Sequence, residues 1–364
     1  MPGCTMADFV TVEDRTWTSV LRRCPHDLYH LPPYAQLEAD WIGARPIAFV
    51  HSDGPDAMLV PLLERSTPGG AGTDTVTPYG YSSPVFTDGA PAGFRLQALR
   101  MFQAAARDRG LVTSFIRLHP LLQPAIDDLD SFGTDSGGRW SQEDRGVTVT
   151  MPLDLEADAF AAGMAHGHRV DIARLRDTGC RVDIDTEQAW AAFPGIYRFT
   201  MEKVGAAAAY YYTDDYIAAF RRDLDGYVHC GAVIDHDGAV MCVGLFTQVS
   251  GILQYHLSGT AEGYSKRAPM KLLLAGMRDW ARSRNIRHFH LGGGLGARRD
   301  SLYQFKRHFG GNELPFRTVA IVHDDDAFDR EAGRWLEIAG PDASIANDFF
   351  PPYRAPLPDL AFSS

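Results

Sequence analysis

His288-Phe289-His290-Leu291 runs into Gly292-Gly293-Gly294, and shortly afterwards Asp300-Ser301-Leu302-Tyr303-Gln304-Phe305-Lys306-Arg307-His308-Phe309-Gly310 follows. The first four residues read as a strand, the glycines as a corner, and the last stretch as a helix carrying a lysine between two phenylalanines. A lysine flanked by Phe305 and Phe309 is partly withdrawn from water, where its ammonium stabilises a phosphate or a developing oxyanion. The plainer alternative is a surface lysine whose stem covers Phe309. From Lys266 to Arg307 the chain has eleven Lys/Arg against two acids, Asp279 and Asp300. That is a formal charge of +9 inside a protein of net charge -11, and a basic island of this kind points to a polyanionic partner.

Working outward, 364 residues with 45% hydrophobic and 22% charged composition are enough for two medium-sized cores. The five cysteines, Cys4, Cys24, Cys180, Cys230 and Cys242, are odd in number and form no C-x-x-C pair. Neither a disulfide framework nor a cysteine zinc site is supported, and a reducing cytoplasm is the expected location. Met1 to Leu21 holds acids and no long apolar run, and no 18-residue apolar stretch occurs, so neither a signal peptide nor a membrane span is expected.

Two regions repeat one order of elements. Pro46–Val50 and Met58–Leu63 flank Ser52-Asp53-Gly54-Pro55 as a hairpin; then come a loop at Thr77–Pro84, a helix over Gly93–Arg109 and a strand over Leu111–Leu118. Ala239–Val249 and Ile252–Leu257 pair across Ser250-Gly251, followed by a loop at Ser258–Pro269, a helix from Met270 and a strand over Ile286–Leu291. Both loops contain Gly-Tyr-Ser, at Gly80–Ser82 and Gly263–Ser265. The reading is an internal duplication. Between the copies lie a strand at Val147–Leu153, helical stretches at Glu156–Gly179, Glu187–Lys203 and Asp214–Leu224, and a tyrosine run ending at Tyr212 that reads as a strand. A strand at Arg317–His323, a helix near Phe328–Ile338 and a Pro-rich tail over 341–364 complete the chain.

The sequence limits the chemistry. Gly292-Gly293-Gly294-Leu295-Gly296-Ala297 formally matches G-x-G-x-x-A, but it comes late and lacks the acid that a dinucleotide site requires about 20 residues on. Glycines serving a tight turn and close packing are the simpler reading. The pairs His288/His290 and His166/His168 have no carboxylate or cysteine to complete a ligand set, so no metal is expected. G-x-S-x-G, H-E-x-x-H and P-loop motifs are absent from the sequence. Tyr79 and Tyr81, with Arg117 and His119 at the end of a neighbouring strand, suit a pocket for a small polar or anionic acceptor, and Tyr212 could join it. The alternative is turn chemistry with satisfied tyrosines.

Tyr79-Gly80-Tyr81, Phe193–Met201, Tyr255–Thr260, Ala268-Pro269-Met270, Leu291–Gly294 and above all Asp300–Gly310 resemble the Fem-type (FemXAB-like) branch of the GNAT superfamily over roughly residues 25–325. The resemblance implies an α/β fold with mixed sheets and two tandem GNAT-like domains. These are expected at 1–150, completed by part of 314–364, and at 151–330. No heptad stretch exists for a coiled-coil arm. The implied activity is transfer of an amino acid from aminoacyl-tRNA to an amine, forming a peptide or amide bond without metal or redox cofactor. The acceptor would be a peptidoglycan precursor or a small amine of a specialised pathway such as antibiotic biosynthesis. Acyl-CoA-dependent GNAT enzymes carry a Q/R-x-x-G-x-G/A loop, whereas this chain has Ser265-Lys266-Arg267-Ala268-Pro269-Met270, with a proline where an N–H donor is wanted. The resemblance further implies electrostatic catalysis by Lys306, substrate contacts from Tyr79, Tyr81, Arg117, His119, Tyr212, His256, Thr260 and Tyr303, and tRNA contacts from Lys266, Arg267, Arg278, Arg282, Arg298, Arg299 and Arg307. An acyl-CoA-dependent N-acyltransferase and a non-catalytic tRNA- or precursor-binding protein remain the alternatives.

Overall fold

The computed structural model describes residues 6–122, 139–340 and 349–357. The chain divides into two units, Met1–Asp144 with Arg317–Ser364, and Arg145–Phe316. Residues 317–330, which the sequence reading included in 151–330 while expecting part of 314–364 to complete the first domain, fall in the first unit.

The first unit begins with β1 (Met6–Thr11), α1 (Arg15–Leu21), α2 (Pro32–Ile42), β2 (Arg45–Asp53) and β3 (Asp56–Ser66). It continues with β4 (Thr73–Val76), β5 (Val85–Phe86), α3 (Ala92–Asp108) and β6 (Leu111–Arg117). Local chemistry sets the boundaries. Asp14 caps α1 by accepting from the Thr16 N–H, α2 opens on prolines that need no N–H partner, and Gly43 ends it at φ 66°. Phe49, Val60, Leu62, Phe102 and Ile116 form its core.

The second unit takes up β7 (Trp140–Met151), α4 (Ala157–Gly163), α5 (His166–Asp177), β8 (Arg181–Ile184), α6 (Glu187–Val204) and α7 (Asp214–Asp223). There follow β9 (Val228–Ile234), β10 (Val240–Val249), β11 (Ile252–Thr260), α8 (Pro269–Ser283), β12 (His288–Gly293) and α9 (Ser301–Arg307). β13 (Asn312–Val322) carries the chain back to the first unit, which ends its described helices with α10 (Asp325–Ala339). α8 buries Leu272, Leu273, Leu274, Met277 and Ala281 in a core with Val149, Phe246, Phe289 and Phe309. Each of these larger side chains contributes roughly 1.5–3 kcal/mol through its removal from water.

The duplication is visible in the strand order. In the first unit the order is β1-β2-β3-β4-β6-β13, and in the second β8-β9-β10-β11-β12-β7. Both have the same pairings, three antiparallel, one parallel (β4–β6 and β11–β12) and one antiparallel. The sequence reading had the repeat out of step by one strand. It matched the β2–β3 hairpin to β10–β11, whereas by position in the sheet β2–β3 corresponds to β9–β10 and the short β4 to β11. Thr73-Asp74-Thr75-Val76 has too little apolar character to stand out between glycines and prolines. A second correction concerns the tyrosine run: Ala208–Tyr210 is a 3₁₀ turn, not a strand. The strand expected at Arg317–His323 begins five residues earlier, at Asn312. Of the tail, 341–348 and 358–364 lie outside the described residues. The longest helix among the described residues, α6, has 18, and no helix is long and apolar enough to cross a membrane.

Close backbone approach makes one glycine decisive. A Cβ on Gly311 would lie 1.6 Å from the Thr150 carbonyl oxygen, a backbone atom with no room to yield. Gly311→Ala is expected to destabilise the second unit by about 1–3 kcal/mol, read as a lower urea midpoint; an unchanged midpoint would refute this approach.

Candidate active site

β11 and β12 pair in parallel at Ile252↔His288, Leu253↔Phe289 and Gln254↔His290, and there the ladder ends. Beyond it β11 stays with β10 through Thr260, while Gly292 and Gly293 of β12 pair with Val149 and Thr148 of β7. The two strands therefore diverge. At the root of the opening the Gln254 amide hydrogen-bonds the buried His290 Nδ1 at 2.7 Å.

Lys306 bridges the two sides of that opening. Its Nζ donates to the Gly293 carbonyl of β12 at 2.6 Å and lies 5.6 Å from the centre of the Tyr255 ring, the first residue of β11 past the last paired register. Only 6% of the residue is exposed. Burial pulls its pKa down to about 7, against the opposing charge of Asp300. The placement follows from local sequence. Asp300 caps α9, accepting from Tyr303 N–H at 2.9 Å with one oxygen and from Leu295 N–H at 2.8 Å with the other. Tyr303 is buried and its hydroxyl donates to Glu313, which also binds Arg299 at 2.6 Å. The Glu313 carboxylate raises the Tyr303 pKa, so Tyr303 acts as a clasp for α9. The three glycines permit close contact: a Cβ on Gly293 would meet Val147 O at 2.8 Å, and one on Gly294 would meet Arg298 O at 2.2 Å. They lead into a 3₁₀ turn at Leu295–Ala297, not the helix a dinucleotide site requires.

Other expected contacts in this unit serve packing. Tyr212 stacks between Tyr197 and Tyr216, with centroids at 6.3 and 4.2 Å. His256 stacks on Phe220 at 5.1 Å, and burial lowers its pKa to about 4. Thr260 ties β11 to α6 by donating its N–H to Thr200 Oγ1 at 3.0 Å.

Folding buries Arg278 and Lys306 of the basic island and pairs others. Arg278 is fully buried; its guanidinium lies 3.9 Å from the Phe160 ring centre and donates to the carbonyls of Pro152 and Leu155. It holds the chain after β7 and has no surface to offer a nucleic acid. Arg282 pairs with Glu156, Lys271 with Asp171, and Arg299 and Arg307 with Glu313, so three acids distant in sequence offset part of the run. Arg267 covers the Tyr264 ring and donates to Cys180 Sγ at 3.4 Å. Lys266 and Arg298 are exposed and form no ion pair among the described residues.

In the first unit, Arg117 donates to Thr77 O at 3.1 Å and lies over the Tyr79 ring, which is 39% exposed. Tyr81 meets His119 at 6.0 Å and Tyr29 at 5.7 Å. His119 is fully buried: it accepts the Leu121 N–H on Nδ1, so the proton sits on Nε2 and is donated to Asp27 at 3.0 Å. Asp27 is not legible in the sequence as its partner, since 92 residues separate them. Here the parallel pair does not open as in the second unit, because Thr77 N–H still reaches Phe115 O at 3.0 Å and Arg117 N–H reaches Thr77 Oγ1 at 3.2 Å.

Two units of this plan, each a mixed sheet with a single parallel pair next to its final antiparallel strand, define a tandem GNAT-like fold. The solved structure of FemX shares it, with a TM-score of 0.65 and 13% identity over 87% of this chain and 98% of FemX. L-PGS from Bacillus licheniformis follows at a TM-score of 0.56 and 11% identity, covering 86% of this chain and 93% of that one. The C-terminal domain of a putative lysylphosphatidylglycerol synthetase from Agrobacterium fabrum has a TM-score of 0.53 and 14% identity, covering 87% and 93%. The chain thus has the Fem-type tandem GNAT-like fold. No family model and no curated protein matches the sequence.

Two predictions follow from burial. Arg278→Ala is expected to cost about 3 kcal/mol by stranding two carbonyls and a cavity, seen as a large fall in urea midpoint; Arg298→Ala is expected to leave the midpoint unchanged. Burial also holds His30 and His323 at about 3 and His168 and His256 at about 4, all below the ordinary 6.5. Their neutral forms are favoured in the fold, so their stabilisation is complete above pH 6.5 and is lost as pH falls toward 4 and then 3. Each unit of pH over which the unfolded state alone binds a proton costs about 1.4 kcal/mol per histidine. Urea midpoints between pH 7 and 4 should fall steeply; a flat profile would contradict the burial of these rings.

Proposed function

We propose that the protein is an acyltransferase that moves an amino acid from aminoacyl-tRNA to an amine. The observation that carries this reading is Lys306, buried across the opening between β11 and β12 and touching both strands. An aminoacyl ester is already activated, so the protein has to align two substrates in a dry gap and steady the tetrahedral oxyanion. A shielded lysine at the mouth of two diverging strands suits that task. Transfer needs no metal or redox step.

The start of α8 supports a donor other than a thioester of coenzyme A. Pro269 brings no N–H, and the Lys271 N–H bonds back to Ala268 O at 3.1 Å, so the first turn has few donors left for a pyrophosphate. Lys266 and Arg298 are exposed cations suited to RNA phosphates, and Arg267 adjoins Lys266 in the chain. One feature favours the acyl-CoA alternative: Ala268 adopts φ 52°, ψ 48°, the left-handed corner that a glycine would supply in a phosphate loop. In the first unit the exposed Tyr79 and the half-buried Arg117 suit a polar acceptor amine.

The deciding assay offers purified protein a radiolabelled amino acid on tRNA, or acetyl-CoA, with a panel of amines. RNase-sensitive product is expected; product formed only with acetyl-CoA would overturn the donor assignment. Lys306→Ala is expected to lower turnover at least 100-fold with little change in tRNA affinity. Charge reversal at Lys266 and Arg298 is expected to raise KM for the tRNA several-fold and reduce the slope of its salt dependence by about one per lost phosphate contact.

A further inference from the structure

The chain meets its need for positive charge with arginine. Of its 35 Lys and Arg, four are lysine: Lys203, Lys266, Lys271 and Lys306. Lys203 and Lys266 are exposed, and Lys271 is paired with Asp171 at 2.6 Å. Lys306 alone is buried without an ion pair among the described residues. Where the fold needs a permanent charge in its interior it uses Arg278, whose guanidinium is held by two backbone carbonyls, an aromatic face and Asp279 at 3.3 Å. Lys306 has one carbonyl and, 5.6 Å away, the centre of the Tyr255 ring, with no ion pair among the described residues. A buried ammonium with one hydrogen bond leaves two N–H groups and most of its charge uncompensated, which costs several kcal/mol, whereas the neutral amine costs little. Arginine cannot shed its proton, and lysine can.

The groups on the surrounding elements do not restore the charge. Asp300, at the head of α9, is the one anion whose field reaches Nζ, and burial outweighs it. On β11 Tyr255 has its hydroxyl bonded to Ser258 Oγ, and burial pushes its pKa up, so it is neutral. His290 on β12 is bonded to Gln254, and His168 on α5 binds Phe305 O at 3.0 Å with its pKa lowered to about 4 by burial. Glu313 is engaged by Tyr303 and Arg299, with Arg307 at 3.5 Å.

Building on the transferase reading, we propose that Lys306 enters the reaction as a neutral amine and shuttles one proton from the attacking nitrogen to the departing ribose oxygen. One Nζ–H is committed to Gly293 O, which orients the group and leaves its lone pair available. As the acceptor nitrogen bonds to the ester carbonyl carbon, Nζ takes a proton from that nitrogen. The ammonium so formed sits beside the new oxyanion and steadies it. When the carbonyl re-forms and the C–O bond to the ribose breaks, Nζ returns the proton to the departing oxygen and is neutral again. One C–N bond forms, one C–O bond breaks, and no electrons are exchanged with a cofactor. The same residue thus supplies the base and then the charge.

With four lysines, protein labelled with ¹³C at lysine Cε gives four signals, and Lys306→Arg identifies the one from Lys306. That signal is expected to titrate with a midpoint near 7. A Lys306 midpoint in the ordinary range of a solvated lysine would overturn the proposal. This measurement uses no substrate, so it stands whichever donor is used; a midpoint near 7 with no transfer from any aminoacyl-tRNA would sink the donor assignment and leave the neutral lysine in place. In the transfer assay Lys306→Arg, folded by circular dichroism, is expected to lose at least 100-fold in kcat. Lys306→Ala is expected to regain activity with small added amines, in proportion to their basicity. Activity retained in the arginine variant would show that a fixed positive charge suffices.

Discussion

One hydrogen bond, from Lys306 Nζ to the Gly293 carbonyl, ties together most of what the second unit requires of its sequence. A lysine reaches that carbonyl only if α9 lies close against the end of β12, which demands glycines where side chains would collide with backbone, at Gly293, Gly294 and Gly311. The helix is seven residues long and has little stability of its own. Asp300 at its head, Tyr303 and Glu313 along its side and the fully buried Phe309 after its end hold it in register. Each of these residues has an ordinary structural explanation. Together they place a single amine in a gap that the sheet itself opens.

The gap is a property of strand pairing. A parallel pair that loses its partner after three registers leaves unpaired backbone on both edges, which is costly unless other groups take it up. In the second unit β7 and β10 hold the outer edges of the two strands, and Lys306 joins β12 to β11 by donating to the Gly293 carbonyl with its Nζ 5.6 Å from the centre of the Tyr255 ring. In the first unit the corresponding pair is held together by Thr77 and Arg117, and the loop beyond it is filled by Tyr29, Tyr81 and the His119–Asp27 pair. Gly80, at φ 116°, has the Tyr29 ring so close that a Cβ would lie 2.1 Å from it. The two units share a sheet order but differ beyond the parallel pair, which diverges in the second unit and stays bonded in the first.

How much of this was legible in the sequence depended on distance along the chain. The hairpins, α3, α8 and the strand–glycine–helix run of 288–310 follow from periodicity and turn residues within a dozen positions, and the structure has them. β4 was missed because four polar-leaning residues carry no period, and that omission shifted the inferred repeat by one strand. Lys306 could be singled out by its phenylalanines. Tyr255 and Gly293, which complete its surroundings, could not, because the contacts that select them cross the sheet. Asp27 was invisible for the same reason, standing 92 residues from the histidine it binds.

Charge shows the same limit more sharply. A count along residues 266–307 gives +9, yet the folded unit returns Asp171, Glu156 and Glu313 to that segment and buries Arg278 beneath it. Net charge in sequence is therefore a poor guide to potential in space when most cations are arginines, since guanidinium groups find carboxylates and carbonyls at fixed geometry. What the composition does reveal is the exception. Selection of arginine at nearly every cationic position, together with a lysine at the one buried site facing the strand opening, is intelligible if that site must change its protonation state. A group required only to be positive would lose nothing by being arginine, apart from the space that its larger head needs beside Gly293 and Tyr255.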